Sequence, residues 1–316
     1  MGQYLLKRLL ATLPVLFLTS IVIFGLMRLL PGDPVMVIVG QTQAQMSAET
    51  LDKIRRENGL DQPIVVQYFT WLEKLFTGDL GRSIQSRQPV WGMLLPRLLP
   101  TIQIGLMAWA ISIVIAVPIA IISATKPNSW QDNLGTIGAL LGAAMPYFLL
   151  GGGLIYVLGL RLKWLPASGY VPWGDDPVQS LRHSILPAVT LGVGLTAIIM
   201  RQARSSLLEV LRLTYITSAR AKGLGERQVI LQHALKNAML PVVTILGILL
   251  GNVMAGAVIT ETIFGIPGIG RLLVDSIYSR DYPVVQAIVL MIGFVVILSN
   301  LLVDVIYGYL DPRIRY

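Results

Sequence analysis

Cysteine is absent, and only two histidines, His183 and His233, occur in 316 residues. Disulfides, thiolate metal sites and cysteine nucleophiles are therefore excluded, and little remains from which to build a metal centre. Charge is scarce as well. Asp, Glu, Lys and Arg make up 13% of the chain, against about a quarter in an ordinary soluble domain. No Gly-x-x-x-x-Gly-Lys-Ser/Thr phosphate loop occurs, nor any Gly-Lys pair, so any ATP that drives this protein is bound by another subunit. No grouping of nucleophile, base and oxyanion donor is visible, which leaves a membrane enzyme without support.

What is present is apolar: 54% of residues are hydrophobic and the mean hydropathy is +0.68. The chain reads as an all-α polytopic membrane protein with six transmembrane helices, at 9–30, 98–124, 134–160, 185–200, 240–260 and 284–307. Most of these runs are long enough to cross about 30 Å of hydrocarbon at 1.5 Å per residue. The run 185–200 is short, but an amphipathic helix continues it beyond Arg201. The first run follows Lys7 and Arg8, is too long for a signal-peptide core and has no small-residue cleavage site after it, so it is retained. Pro118 and Pro146 interrupt the second and third runs, and Gly138, Gly142 and Gly151 to Gly153 allow helices to approach closely.

Between the first two spans, 31–97 forms a charged insert. It is marginal as an independent unit and expected to pack on the membrane part. Asp33 and Asp79 sit beside Gly or Pro and read as turn residues rather than as an acid–base pair. Trp164 and Trp173 read as interfacial anchors, and His183 as a helix-start or interfacial residue. The spans hold few ionisable groups: Arg28, Asp304 and, at a boundary, Glu261, which closes the fifth span. Each can reach the interface, where ion pairing or snorkelling is its expected role.

The most polar island is 201–241, with seven Lys and Arg against Glu209 and Glu226. Leu207, Leu211, Tyr215 and Ala219 recur at four-residue steps, and Ile230, Ala234 and Ala238 repeat the pattern after Gly223-Leu224-Gly225. The spacing predicts helix, glycine break, helix. Two readings stand side by side. A bare glycine with cations around it suits docking against an acidic partner rim; a solvated loop whose charges only fix orientation accounts for the same residues.

The strings Ala219 to Gly223 (ARAKG) and His233 to Pro241 (HALKNAMLP) resemble the cytoplasmic loop of ABC-importer permeases of the dipeptide/oligopeptide (peptide/nickel) family. In the wider superfamily this loop begins Glu-Ala-Ala, three residues, then Gly. By that count Thr217 stands for the Glu, Ser218 for the first Ala, and Ala219 and Gly223 match; the late Pro241 follows the spacing of the peptide branch. PGDP (31–34), GLDQP (59–63), DLGRS (79–83), LPASGY (165–170), HSILPAVTLG (183–192) and the loop 261–283 resemble the same branch, so the likeness runs from end to end.

The resemblance implies a type I importer fold with the insert outside the membrane. It also implies a coupling segment at 201–238 within a permease core at 98–307, after an N-terminus and first helix at 1–30 and before a tail at 308–316. The contact with the ATPase then falls on Thr217, Ser218, Ala219, Arg220, Ala221, Lys222, Gly223 and Leu224. Implied partners are a second homologous permease, two ABC ATPase subunits, an extracytoplasmic substrate-binding protein and membrane lipid, with no nucleic acid. No cofactor is bound directly, ATP and Mg being used by the partner ATPases. Di- or oligopeptide is the default substrate; glutathione, nickel chelates and sugars are carried by the same branch. The implied location is a bacterial or archaeal cytoplasmic membrane.

Charge orients the chain. With both termini on one side, that side carries twelve Lys and Arg, while the two short loops opposite carry five. The long insert has a weak vote, so the coupling segment and both termini are expected to be cytoplasmic. This face also accounts for the whole net charge of +8, which removes the main argument for nucleic-acid binding. The competing reading is an ATP-independent carrier or channel whose polar loop is a topological determinant only.

Overall fold

A computed structural model describes residues 2–29, 48–57 and 59–310. Helix follows helix along the chain: α1 Gly2–Leu29, α2 Ala48–Glu57, α3 Ile64–Phe76, α4 Val90–Thr125, α5 Trp130–Ala144 and α6 Tyr147–Leu154, which runs into a π-turn, Ile155–Arg161. After it come α7 Pro177–Leu211, α8 Thr214–Ala221, α9 Leu235–Phe264, α10 Ile269–Tyr278 and α11 Tyr282–Leu310. Asp33, the PGDP string and the tail from Asp311 lie outside the described residues, and so does the side chain of Asp304.

Among the described residues four helices are long and apolar enough to cross a membrane: Val90–Thr125, Pro177–Leu211, Glu226–Gly251 and Tyr282–Val303. Two bent pairs pass the same test together, α5 with α6 at 103° and 256–264 with α10 at 86°. The expected interruption of the run 134–160 at Pro146 is thus a sharp bend between two half-helices. Pro146 has no N–H to continue α5, and it holds Met145 extended at ψ 120°. Pro118, in contrast, lies within an unbroken α4. In α1 the described apolar stretch is Leu10–Leu26.

The bundle is built on α4 and α7, with α9 across them. Ala108, Ala116 and Ala120 of α4 meet Leu191, Leu195, Ile199 and Met200 of α7 and Val242, Leu246, Leu249 and Val253 of α9. Alanine on one helix and glycine on the next bring the backbones together, since lipid supplies no hydrophobic drive between helices and close packing must do so. A Cβ on Gly192 would lie 3.1 Å from the Ala108 carbonyl oxygen, and one on Gly142 would lie 3.0 Å from Val193. Gly138, Gly152 and Gly153 have no such neighbour within 4 Å among the described residues.

Several boundaries fall elsewhere than expected. The helix containing 185–200 begins at Pro177, with the Asp176 carboxylate accepting from the N–H groups of Val178 and Gln179 at 3.0 Å. His183 is therefore not at a helix start; its Nδ1 lies 2.8 Å from the carbonyl oxygen of Gln179 one turn back. The fifth span does not close at Glu261 but runs to Phe264, ended by Gly265 at φ 65°. Asp79 is a turn residue as expected, accepting from Gly81 N–H at 2.9 Å. Trp164 and Trp173 are exposed.

The turns sort onto two faces. On one, the Ser83 hydroxyl and the Ile84 N–H donate to Asp281, Gln85 donates to the Ser279 carbonyl at 2.8 Å, and Gly169 N–H donates to the Phe264 carbonyl at 2.8 Å. The end of the insert, the loop after α6 and the loops around α10 are thereby joined. On the other, Arg204 near the end of α7 grips buried Asp132 of α5 through two bonds of 2.6 and 2.7 Å. That bond ties the turn at 126–133 to the polar segment.

Glu261 corrects the expectation of an interfacial, ion-paired role. It is fully buried. Thr101 of α4 donates to its Oε1 at 2.5 Å, Arg271 N–H donates to its Oε2 at 2.9 Å, and Ile269 N–H donates to the Thr101 hydroxyl at 2.9 Å. The carboxylate caps α10, satisfying N–H groups that have no partner within that helix. Gly268 and Gly270 are required beside it, because a Cβ at either would run into the Glu261 carboxylate or the Val258 backbone.

Candidate coupling site

The polar segment is the continuation of α7 past Met200. Ala203, Ser206 and Leu207 stay buried on that stretch, so the helix leaves the bundle with its apolar side still covered. It stops at Leu211. Arg212 N–H turns back to the Glu209 carbonyl at 3.2 Å, Leu213 is extended at ψ 147°, and α8 starts with Ile216 N–H on the Leu213 carbonyl at 3.0 Å. The single helical face through Leu207, Leu211, Tyr215 and Ala219 is therefore broken. Leu207, Ile216 and Ala219 are the buried set, and Tyr215 is exposed.

Ile216, fully buried, is the residue that sequence reasoning missed. Its signal was there: it is the one large aliphatic side chain in TYITSARA, three residues before Ala219. Both point into a cluster with Ala124 at the end of α4, Leu207, Val229, Ala234 and Ala238. The predicted Ile230, Ala234, Ala238 face is shifted by a π-turn at Val229–Ala234, which replaces one four-residue step by five, so that Val229 is buried in place of Ile230.

The glycine break stands where the spacing predicts it. Gly223 follows α8 at φ 79°, with its N–H on the Arg220 carbonyl at 2.9 Å and Leu224 N–H on the Ala219 carbonyl at 3.4 Å. This is a left-handed helix stop, which L side chains enter only at a cost. Nothing among the described residues lies within 4 Å of where a Cβ would sit, so glycine here is dictated by the backbone turn.

Three polar contacts brace the turn from outside. Arg220 holds Glu226 across it through bonds of 2.6 and 3.1 Å, Asn237 donates to the Tyr215 hydroxyl at 2.8 Å, and that hydroxyl reaches the His233 carbonyl at 3.3 Å. All are exposed, so each contributes little to stability. Of the residues expected to meet a partner, Thr217, Ser218, Arg220, Ala221, Lys222 and Gly223 are exposed and form one edge. Ala219 faces inward and half-buried Leu224 packs against the same cluster, and these two root the edge to the bundle. No group of three His, Asp or Glu side chains that could hold a metal ion occurs among the described residues.

A short helix rooted by apolar pegs and presented beneath a bundle of apolar helices is the layout of a transporter's membrane subunit. The family described as "Binding-protein-dependent transport system inner membrane component" matches residues 116–316, and its N-terminal companion matches 1–105. The chain belongs to this family: it is a multi-pass inner-membrane permease subunit of an ABC importer, not itself an enzyme, and it works in a system that includes a substrate-binding protein.

Among its relatives, the dipeptide transport system permease protein DppB of Alkalihalophilus pseudofirmus is 41% identical over the full length of both chains. The glutathione transport system permease protein GsiC of Escherichia coli O6:H1 is 40% identical, again over both full lengths. DppB of Escherichia coli K12 is 40% identical over all of this chain and 99% of that one. A chain of the MetNI methionine ABC transporter, solved in inward-facing conformations, shares the fold at 17% identity and a TM-score of 0.58, covering 69% of this chain and 96% of that chain.

Proposed function

We propose that this chain lines half of a path for di- or oligopeptides and is driven through the edge at Thr217–Leu224 by an ABC ATPase. The second half of the path belongs to a homologous permease, and each permease of the pair rests on one of two ATPase subunits, which bind the ATP and Mg. The observation that carries this reading is the exposed edge itself. Its side chains make few contacts within the chain, while Ile216, Ala219 and Leu224 fasten it to the ends of α4, α7 and α9. A push on the edge is thereby delivered to three helices of the bundle at once. Full-length identity to dipeptide permeases supports peptide as the cargo.

Six spans with both termini cytoplasmic fit the sorting of the turns. The two groups joined by hydrogen bonds are the same two groups that the Lys and Arg count separates, with the turn at 126–133 and the coupling segment on one face and the insert and the loops around α10 on the other.

The absence of cysteine makes the test direct. With the assembly purified intact, Ala221→Cys is expected to cross-link to an ATPase subunit through a short thiol-to-amine reagent, and buried Ala219→Cys is expected to remain unreactive. Cross-linking at neither Ala221 nor Ser218, in an assembly that still hydrolyses ATP, would place the ATPase contact elsewhere. Uptake competition between dipeptides, longer peptides and glutathione, with the cognate binding protein present, decides the cargo.

A further inference from the structure

The helix of the insert, α3, carries an apolar stripe that is exposed at Val65, Phe69 and Phe76 and half-buried at Leu72. At 100° per residue, Val65, Phe69, Leu72 and Phe76 share one side, while Gln67, Thr70 and Lys74 lie across the helix from it. Phe69 is 57% and Phe76 83% exposed. A helix lying in water would not be expected to present such a stripe.

The neighbouring side of α3 shows the depth at which it sits. The Tyr68 hydroxyl is 2.8 Å from the Ser20 hydroxyl of α1, and the Tyr68 ring meets Phe17 and Phe24 edge-on at 6.1 and 5.5 Å between centroids. Ser20 precedes the end of α1 at Leu29 by nine residues, a distance of about 14 Å along the helix. Even allowing for the length of a tyrosine, α3 rides below the outer end of a membrane-crossing helix. On α1 at the same level Leu18, Ile21 and Val22 are exposed apolar side chains, as a lipid-facing surface requires. The apolar surface of α3 continues that of α1.

Beside α3 is a cleft of roughly 600 Å³, lined on its charged side by Arg28, Lys74, Arg82 and Arg87 with Asp79 as its one acid among the described residues. Asp79 is already engaged with Gly81 N–H. Even with Arg87 set aside, since it has a partner of its own, Arg28, Lys74 and Arg82 give the cleft an excess of positive charge among the described residues, at the level where α1 ends, which is the level of lipid phosphates.

We propose that α3 is seated in the outer leaflet, lying in the boundary between headgroups and acyl chains with Val65, Phe69 and Phe76 in hydrocarbon, while the cationic cleft takes the phosphate of a lipid headgroup. An amphipathic helix in this position buries its apolar face about 5–10 Å below the headgroups, which agrees with the Tyr68–Ser20 contact. The insert is then not wholly extramembrane; it rests on the bilayer and leans on α1. The word "outer" rests on the orientation proposed above, and the experiment separates the two.

Nitroxide labels are placed on Val65→Cys, Phe69→Cys and Glu73→Cys in the assembled transporter in nanodiscs, with Leu18→Cys on α1 as the reference for lipid. Relaxation by oxygen, which concentrates in hydrocarbon, is compared with relaxation by a water-soluble nickel chelate. The expected result is an oxygen-to-chelate ratio at 65 and 69 close to that at 18 and several-fold above that at 73. Chelate access at 65 and 69 equal to that at 73 overturns the proposal. So does protection that appears only when the binding protein is added, which would make the stripe a protein dock. A water-exposed reading at 18 would instead break the topology of α1. In a second arm, Lys74→Gln with Arg82→Gln is expected to lower, several-fold, the phosphatidylglycerol retained over phosphatidylcholine through purification; unchanged retention removes the headgroup site.

Discussion

The loops around α10 and the coupling helix α8 are fastened by opposite chemistry. At the end that holds α10, buried carboxylates do the fastening: Glu261 accepts from Thr101 and from the backbone at the start of α10, and Asp281 accepts from Ser83 and Ile84 of the insert. On α8, aliphatic side chains of Ile216 and Ala219 do it together with Val229, and the polar contacts around the turn that follows are in water, the buried Asp132–Arg204 pair lying behind them between α5 and α7. A buried carboxylate is directional and costly to leave unmatched, so it fixes one geometry. An apolar peg resists separation but tolerates tilt. The α10 end is therefore built to hold its loops in register, and the coupling end to transmit a push while adjusting against a partner.

Substitutions can sharpen or break this contrast. The largest effect belongs to Glu261→Ala, which strands Thr101 and the N–H groups of Gly270 and Arg271; a loss of about 3 kcal/mol is expected for a fully buried acceptor of this kind. It should appear as a lower unfolding midpoint in detergent, with Glu261→Gln recovering part of the loss. Next is Ile216→Ala, at about 2–3 kcal/mol for a buried isoleucine truncated to alanine. Hydrogen exchange should show that loss locally in α8, leaving α10 protected.

Asp281→Ala is expected to cost about 2 kcal/mol by freeing the Ser83 hydroxyl and the Ile84 N–H. Protease cleavage within 82–89 should rise while α8 is unaffected. Smallest is Arg220→Ala, since Arg220 and Glu226 are exposed and solvent screens the pair; less than about 1 kcal/mol of stability should be lost. If Arg220→Ala instead destabilised the chain as much as Glu261→Ala, the contrast between the two ends would fail.

How much of this could be read from the chain alone differed in the same way. The apolar runs and the glycine stop at Gly223 were legible, because composition and φ > 0 are local properties. The start of α7 was legible too but passed over: Asp176-Pro177 is an N-cap followed by proline at the first helical position. The break at Arg212–Leu213 was not, since no glycine or proline marks it; it follows from Ile216 and Ala219 docking on α4, which is a tertiary event. The π-turn at Val229–Ala234 displaced the expected face by one residue for a similar reason. Glu261 misled because a lone acid at the edge of a span looks interfacial until the backbone N–H groups it caps, nine and ten residues onward, are brought back to it by the bend of 86°.

ATP hydrolysis and peptide uptake by the reconstituted assembly carrying Ala221→Trp test the coupling edge most directly. Ala221 is an exposed helical residue, so the bulk should be carried without harm to the chain itself, unlike a side chain forced onto Gly223 at φ 79°. The prediction is a normally inserted and folded permease whose binding-protein-stimulated hydrolysis and uptake are both lost. Wild-type hydrolysis and uptake in that variant would contradict the claim that force enters this protein through the edge at Thr217–Leu224.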